Sequence, residues 1–316
     1  MGEMLKGKVA LVTGGGRGLG RAHALALARA GAAVVVNDYG GSLYGEAGDD
    51  GPAAETVAEI QRAGGRSLAN QGSVSDWASA ERMIAETLAA FGRLDILVNN
   101  AGISRPARIY RLIEEDVDLL IGVHLKGTLA TSHFAAAHWA AEGPAGGRAI
   151  INTSSASGLH PNLDGTVYAA VKAATAALTQ GHANELAALG VRVNAISPCA
   201  RTRMVEASPA VLSLMPKGEV FDRHDPDHVS PLVVYLASDQ CRFTGRVFGI
   251  EGPDIGLYTP WSVDQQITHD GGWTPEAIAD SLADLPQQSE VRAFFPGGTT
   301  AFRAPPGRSL RALGAV

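Results

Sequence analysis

"KVALVTGGGRGLGRAHALALARAGAAVVVND", residues 8–38, decides how the rest of this chain is read. "KVALVT" (8–13) is a short apolar run rich in β-branched residues, which predicts a buried strand. Glycines follow, and "LGRAHALALARAG" (19–31) then repeats apolar residues at helical spacing and stops on Gly31. "AAVVVND" (32–38) predicts a second buried strand. Strand, glycine loop, helix and strand are the opening of a right-handed βαβ unit. Gly14, Gly18 and Gly20 stand where the turn must be tight and where a pyrophosphate could approach a helix N-terminus closely. In that context the GxxxGxG spacing predicts a nucleotide-binding loop, a plain tight turn being the alternative. Asp38 closes the second strand, 18 residues after Gly20. A carboxylate there accepts hydrogen bonds from an adenosine ribose and repels a 2′-phosphate, which favours NAD over NADP. Arg17, inside the loop, pulls toward NADP, but the carboxylate at the strand end would lie close to the 2′ position and outweighs it; a helix or loop cap is the alternative for Asp38.

The alternation continues outward from this unit. Helices are expected near 52–63, 76–91, 112–141, 166–189 and 226–237, and strands at 66–70, 94–99, 148–153, 191–197 and 246–252. The fold class predicted is α/β, a Rossmann-type doubly wound parallel sheet of about seven strands with a C-terminal extension. The domain reading is 1–254 for the NAD-binding catalytic domain and 255–316 for the extension. The extension carries one helix near 274–285, with Thr274 as N-cap and Pro275 in its first turn, and a tail expected to be partly disordered. "YGGSLYGEAGDDGP" (39–52) is a long polar loop after the second strand.

Bulk properties exclude several classes. Across 316 residues, 46% are hydrophobic and 18% charged, as in an ordinary globular enzyme, and the net charge of −6 gives no nucleic-acid footprint. Cys199 and Cys241 are the only cysteines, too few for a disulfide scaffold and without metal-ligand spacing, so no metal is expected. The N-terminus lacks a signal-peptide apolar region, Lys6 spoils a myristoylation motif, and no run of about twenty apolar residues occurs. Membrane insertion is therefore not expected, and the chain is read as cytoplasmic.

"YAAVK" (168–172) sets a tyrosine and a lysine one above the other on a helix otherwise built of small residues. Alone, that pair is better explained by a packed ring and a snorkelling lysine. Four ordered motifs change the weighing: "TGGGRGLG" (13–20), "NNAG" (99–102), Ser155 thirteen residues before Tyr168, and Pro198 at the end of the sixth strand. Together they resemble the short-chain dehydrogenase/reductase family over about residues 5–252.

The resemblance implies roles. Tyr168 would be the general base for alcohol oxidation, Lys172 would favour its phenolate and hold the nicotinamide ribose, and Ser155 would orient the substrate oxygen. Gly14, Arg17, Gly18, Leu19, Gly20, Asp38, Ser73, Val74, Asn100, Ala101, Gly102, Tyr168, Lys172, Pro198 and Thr202 would line a NAD site. Three positions depart from the family pattern. His124 stands where an Asn of the proton relay is usual, Gly72 where an Asp commonly contacts adenine, and Cys199 where Gly is frequent. His124 either replaces that relay as a catalytic residue or is a satisfied helix histidine.

"VVVNDYGG" (34–41), "VHLKG" (123–127), "TSSASG" (153–158) followed by Asn162, and "TPEAI" (274–278) are similar to the (3R)-hydroxyacyl-CoA dehydrogenase unit of the peroxisomal multifunctional enzyme, the type 4 17β-hydroxysteroid dehydrogenase branch. This implies oxidation of a (3R)-3-hydroxyacyl-CoA with NAD. A hydroxysteroid substrate is the alternative, and a non-catalytic NAD-binding sensor or assembly protein is the alternative of another class. Arg105, Arg108 and Arg111 could meet CoA phosphates or form a solvated stripe. Trp261, Trp273, Phe294 and Phe295 could cover a pocket or pack between subunits. Pairing of the two long helices with a neighbour's is implied, giving a homodimer or homotetramer.

Overall fold

The computed structural model describes residues 3–46, 51–159, 161, 165–259, 266–268 and 273–283. Packing divides the chain into two compact units, 1–257 and 258–316. In the first, strands β1 (Val9–Thr13), β2 (Ala33–Asn37), β3 (Ser67–Asn70), β4 (Ile96–Asn99), β5 (Arg148–Thr153), β6 (Val191–Pro198), β7 (Val247–Glu251) and β8 (Asp254–Leu257) form one sheet in the order β3-β2-β1-β4-β5-β6-β7-β8. β1 to β7 pair parallel throughout. The order reverses between β1 and β4, the switch point where open α/β sheets bind ligands at their C-terminal strand ends.

Why the strands read as unbroken apolar runs is visible in the core. Alternate residues of one strand enter opposite layers. Ala10, Val12, Val34, Val36, Ile96 and Val98 face α1 (Gly18–Arg29) and the late helix α10 (Ser230–Ala237). Leu11, Val35, Leu97 and Ile150 face Met83 and Ile84 of α3 (Trp77–Phe91) and Trp139 of α5 (Gly127–Glu142). Trp139 is fully buried, and its indole N–H donates to the Leu94 carbonyl at 2.8 Å. α2 (Gly51–Arg62) and α7 (Thr166–Glu185) complete the long crossover helices.

Two features were not anticipated from sequence. β8 is an eighth, antiparallel strand, paired from Glu251↔Asp254 to Phe248↔Leu257. Gly252, with φ 53°, and Pro253 make the two-residue turn that reverses the chain. Four residues with only Gly256 buried give too little alternation to read as a strand. The stretch expected as one helix over 112–141 is three pieces: α4 (Glu114–Leu120), a π-helical turn (Ile121–Lys126) and α5. The shorter helices are α6 (Ala156–Leu159), α8 (Arg203–Glu206) and α9 (Pro209–Leu212).

In the second unit, α11 (Pro275–Leu282) starts as expected, with Pro275 in the first turn and the Thr274 side chain accepting from the Ala277 N–H at 3.1 Å. Trp261, Phe294, Phe295 and Asn162 lie outside the described residues, as does the tail beyond Ala283.

Candidate active site

The β1–α1 loop is built from backbone that cannot carry side chains. Gly14 and Gly18 have φ of 61° and 50°. A Cβ on Gly20 would stand 2.0 Å from the Gly14 carbonyl oxygen, and one on Gly14 would stand 2.8 Å from Ala101 Cα. The close approach is fixed by Thr13, whose hydroxyl accepts from the Asn100 and Ala101 N–H groups at 3.0 and 3.1 Å. Asn100 in turn donates its amide to the Thr13 and Gly14 carbonyls at 3.0 and 3.1 Å. "NNAG" is thus the brace that holds the glycine loop across the switch point. Asn99 looks inward and bonds Ser132, Asn152 and Thr131. Thr13 carries as much of this geometry as the glycines, and sequence reading passed over it.

Asp38 closes the same loop. Its Oδ2 accepts from the Gly16 N–H at 2.9 Å and its Oδ1 from the Gly40 N–H at 2.8 Å. Arg17 donates to the Gly41 carbonyl at 3.3 Å. Arg203, which no sequence motif singled out, is within electrostatic reach of both; the desolvation it suffers and the charge of Arg17 lower its pKa, and Asp38 opposes them. Thr202 precedes α8 and would meet a Cβ on Gly18 at 3.6 Å, so it stands against the glycine loop. Leu19 packs against the core beneath the loop, and Pro198 pairs with Ile250 in the sheet. Val74 packs on Gly127, where a Cβ would come within 2.8 Å of it, and Ser73 shares a hydrogen bond with Ser75 at 2.9 Å. The absence of Asp at position 72 has a local reason. A Cβ on Gly72 would lie 2.5 Å from Ser79 Oγ, and the Gly72 carbonyl accepts from Asn37 at 2.7 Å.

On the other side of the switch point, β5 and α7 carry the polar side chains. Lys172 is only 5% exposed, and its ammonium donates to the Thr153 carbonyl at 2.7 Å. The Ser154 hydroxyl donates to the Lys172 carbonyl at 2.9 Å. Gly158 lets α6 press against α7 at this level, since a Cβ there would lie 2.7 Å from Lys172 Cβ. Tyr168 is half-buried; its ring centroid is 5.7 Å from Lys172 Nζ, and Ser155 hydrogen-bonds its hydroxyl. Ser155 is itself placed by the Ser157 N–H, which donates to its Oγ at 3.2 Å.

His124 enters this group from the middle of the π-helical turn, an irregularity that often marks functional sites. Its ring stands edge-on to Tyr168, with centroids 5.4 Å apart at 89°. Its Nε2 is 2.9 Å from the Ile103 carbonyl and 3.2 Å from the Ile103 N–H, while Nδ1 is buried without a partner. Gly102 is required here because a Cβ would reach 2.6 Å from His124 Cε1.

Burial dominates the electrostatics. Desolvation brings Lys172 down to about 7. It also raises the Tyr168 phenol, and the hydrogen bond from Ser155 pulls that pKa part of the way back. His124 falls to about 3, through burial first and the charge of Lys172 second, against the Ile103 hydrogen bond. At neutral pH His124 is a neutral imidazole. Cys199 is a thiol pushed up to about 12, by burial and then by Glu251, against Arg223.

Arg105 is engaged elsewhere. It is 3.1 Å from Asp116, donates to the Tyr44 carbonyl at 2.8 Å and lies over the Tyr44 ring. Its stripe neighbour Arg111 lies over the Tyr110 ring, 5.8 Å from its centroid.

A backbone cradle at a helix N-terminus, braced across the switch point, faces a Ser–Tyr–Lys group at the ends of β5 and α7. Comparisons with known proteins identify the family. A hydroxyacyl-CoA dehydrogenase of Mycobacterium tuberculosis, ChsB1, is 38% identical over 301 residues, covering 90% of this chain and 92% of its own. The peroxisomal multifunctional enzyme type 2 of Mus musculus is 38% identical over 250 residues, and the match spans 79% of this chain but only 32% of that longer protein. A crystal structure of a short chain dehydrogenase from Mycobacterium avium superposes with a TM-score of 0.78 at 42% identity, covering 89% of this chain and 95% of that one. A Burkholderia cenocepacia short chain dehydrogenase solved in complex with NADP gives a TM-score of 0.69 at 31% identity, over 78% and 98% of the two chains. The short chain dehydrogenase family model matches residues 8–210, from the first strand through the glycine loop and the Tyr/Lys helix to the segment after Thr202, and the chain belongs to that family of nicotinamide-dependent oxidoreductases.

Proposed function

We propose that this chain is an NAD-dependent dehydrogenase that oxidises the secondary alcohol of a (3R)-3-hydroxyacyl-CoA. The observation that carries the chemistry is the convergence of Ser155, Tyr168 and Lys172 beside the glycine loop. The substrate class is supported by the similarity to ChsB1 over nine-tenths of both chains.

The residues fit a nicotinamide dinucleotide. Gly14, Gly16 and Gly20 have no room for a Cβ and leave the loop backbone bare, and α1 begins at Gly18, where its N-terminus would receive a pyrophosphate. An oxidised nicotinamide held there would supply the hydride acceptor for the carbinol C–H and a positive charge beside Tyr168. Ser155 hydrogen-bonds the alcohol oxygen and aims it at Tyr168. Tyr168, as phenolate, takes the hydroxyl proton as the C–H electron pair departs, leaving a carbonyl and a neutral phenol. Lys172, anchored on Thr153, would hold the ribose hydroxyls and, where protonated, favour the phenolate against the burial that lowers its own pKa to about 7. His124, neutral at working pH, is a positioning residue. It fixes the Ile103 peptide and one side of the Tyr168 ring, and does not carry the proton as an imidazolium. Asp38 favours NAD, because a 2′-phosphate beside its carboxylate would be repelled. A homodimer or homotetramer through α5 and α7 completes the proposal.

The test is formation of reduced cofactor by the full chain with a (3R)-3-hydroxyacyl-CoA and with a 17β-hydroxysteroid, each with NAD and with NADP. Turnover of the thioester with NAD is the expected result. Turnover of the steroid alone would replace the substrate class, and turnover with neither would leave only family and fold.

A further inference from the structure

Away from the Ser–Tyr–Lys group, the parallel register of β6 and β7 creates a second cluster. Pro198 pairs with Ile250, so the residues that follow, Cys199 and Glu251, emerge side by side on the same face. His224 is delivered to them by the chain itself. The Arg201 N–H donates to the His224 carbonyl at 2.7 Å, and the Arg201 guanidinium clasps Asp222 with bonds of 2.6 and 3.0 Å. One ligand atom each from Cys199, His224 and Glu251 lies within 4.8 Å of the others. The His224 and Glu251 side chains are buried, 9% and 6% exposed, and Cys199 is partly buried.

The donor set is a sulfur, an imidazole nitrogen and a carboxylate oxygen, the mixture that zinc and cobalt prefer over magnesium or calcium. His224 Nε2 shares Glu251 Oε1 at 3.0 Å, and its Nδ1 is buried with no partner. Nε2 is the nitrogen that faces the carboxylate, so it is the one that a cation shared with Glu251 would take. Arg223 also donates to Glu251 Oε1, at 3.1 Å, and its other arm already bonds Asp254, so it has a second carboxylate when the first is taken.

We propose that Cys199, His224 and Glu251 form a binding site for a thiophilic divalent cation such as Zn²⁺, with a fourth position left to solvent. The Cys199 S–H bond breaks on binding: the thiolate ligates the cation and the proton leaves to solvent, with no change of oxidation state. Apparent affinity therefore rises with pH. The site lies at the neck of the segment from Cys199 to His224, which carries Thr202. Binding ties that neck together. Any effect on turnover rests on the function proposed above; the binding itself does not.

The experiment is titration of the metal-free full chain with Co²⁺ under reducing conditions, followed by the thiolate-to-cobalt charge-transfer absorption, with Zn²⁺ as competitor. One equivalent with a thiolate band, retained in Cys241→Ala and lost in Cys199→Ala, is expected. His224→Gln should weaken binding by more than the ~100-fold that loss of an outer partner costs a metal site. Cys199→Ala is a small change at a partly buried position, and its circular dichroism without metal checks folding. Should it not fold, protection of the native Cys199 thiol from alkylation by Zn²⁺ decides instead. No thiolate band, a band unchanged in Cys199→Ala, or alkylation unaffected by Zn²⁺ would overturn the proposal. None of these readouts needs turnover, so failure here and failure of the dehydrogenase reading are separable.

Discussion

His23 and His124 are both buried, and burial lowers both to a pKa of about 3. Their surroundings differ. His23 lies on α1 under the start of α10, with Nδ1 2.9 Å from the Ser230 hydroxyl. His124 lies in a π-helical turn, edge-on to Tyr168 and within the field of Lys172. A depressed pKa reports burial in both regions, and only the partners make one of them part of a site. In the α1–α10 layer the polar group is packed between helices. In the α7 cleft it adjoins two further groups whose pKa values burial also moves, Tyr168 up and Lys172 down, each toward its neutral form.

The comparison can be broken most directly at Tyr168. Tyr168→Phe is expected to reduce kcat by about 10²–10⁴-fold while cofactor binding, followed by fluorescence, stays within a few-fold. If kcat is unchanged, the cleft is no more catalytic than the packing around His23. A second pair of variants sharpens the contrast. His124→Gln is expected to lower kcat by about tenfold without removing a limb of the pH–rate profile, because an imidazole with a pKa of about 3 stays neutral across the working range. His23→Gln is expected to leave kcat intact and cost roughly 1–3 kcal/mol of stability through its lost hydrogen bond. Equal kcat losses in both would erase the distinction.

The shared property makes its own prediction. Both histidines have folded pKa values of about 3, against 6.5 for the free side chain. The unfolded chain therefore binds more protons between those pH values, and stability falls as pH falls. Each histidine contributes stability that is complete above 6.5 and is lost progressively toward about 3. The slope is on the order of 1.4 kcal/mol per pH unit for each group. Denaturation midpoints of His23→Gln across this range should show a shallower slope than those of the parent chain; parallel curves would mean that His23 does not titrate as its burial requires. The smallest effect expected is at Asp38. Asp38→Ala should shift the ratio of NAD to NADP efficiency toward NADP by about tenfold, within the 1–3 kcal/mol range of a single charged contact. A fixed ratio would make the carboxylate only a clasp for Gly16 and Gly40.

Much of this was legible in advance, for identifiable reasons. The β-branched runs gave the parallel strands because such strands are buried on both faces and need no alternation. Gly14 and Gly20 were legible because a side chain at either would collide with backbone. Asn100 was legible only as part of a motif; its bond to Thr13 spans 87 positions. The π-helical turn was hidden because "LIGVHLKGT" (120–128) keeps helical spacing, and the extra residue per turn is imposed by packing of Gly122, Gly127 and His124 against neighbouring segments.

By itself the sequence determined the order of the seven parallel strands, the glycine loop, and the one-turn spacing of Tyr168 and Lys172, because these follow from side-chain period and from sterics within a few residues. Tertiary structure decided the rest. Which charges are favoured at Tyr168, Lys172 and His124 depends on how much water the folded layers exclude, and that is no property of any one segment. Cys199, His224 and Glu251 meet because two strands share a register and a loop closes at its neck, contacts between positions that no local pattern connects.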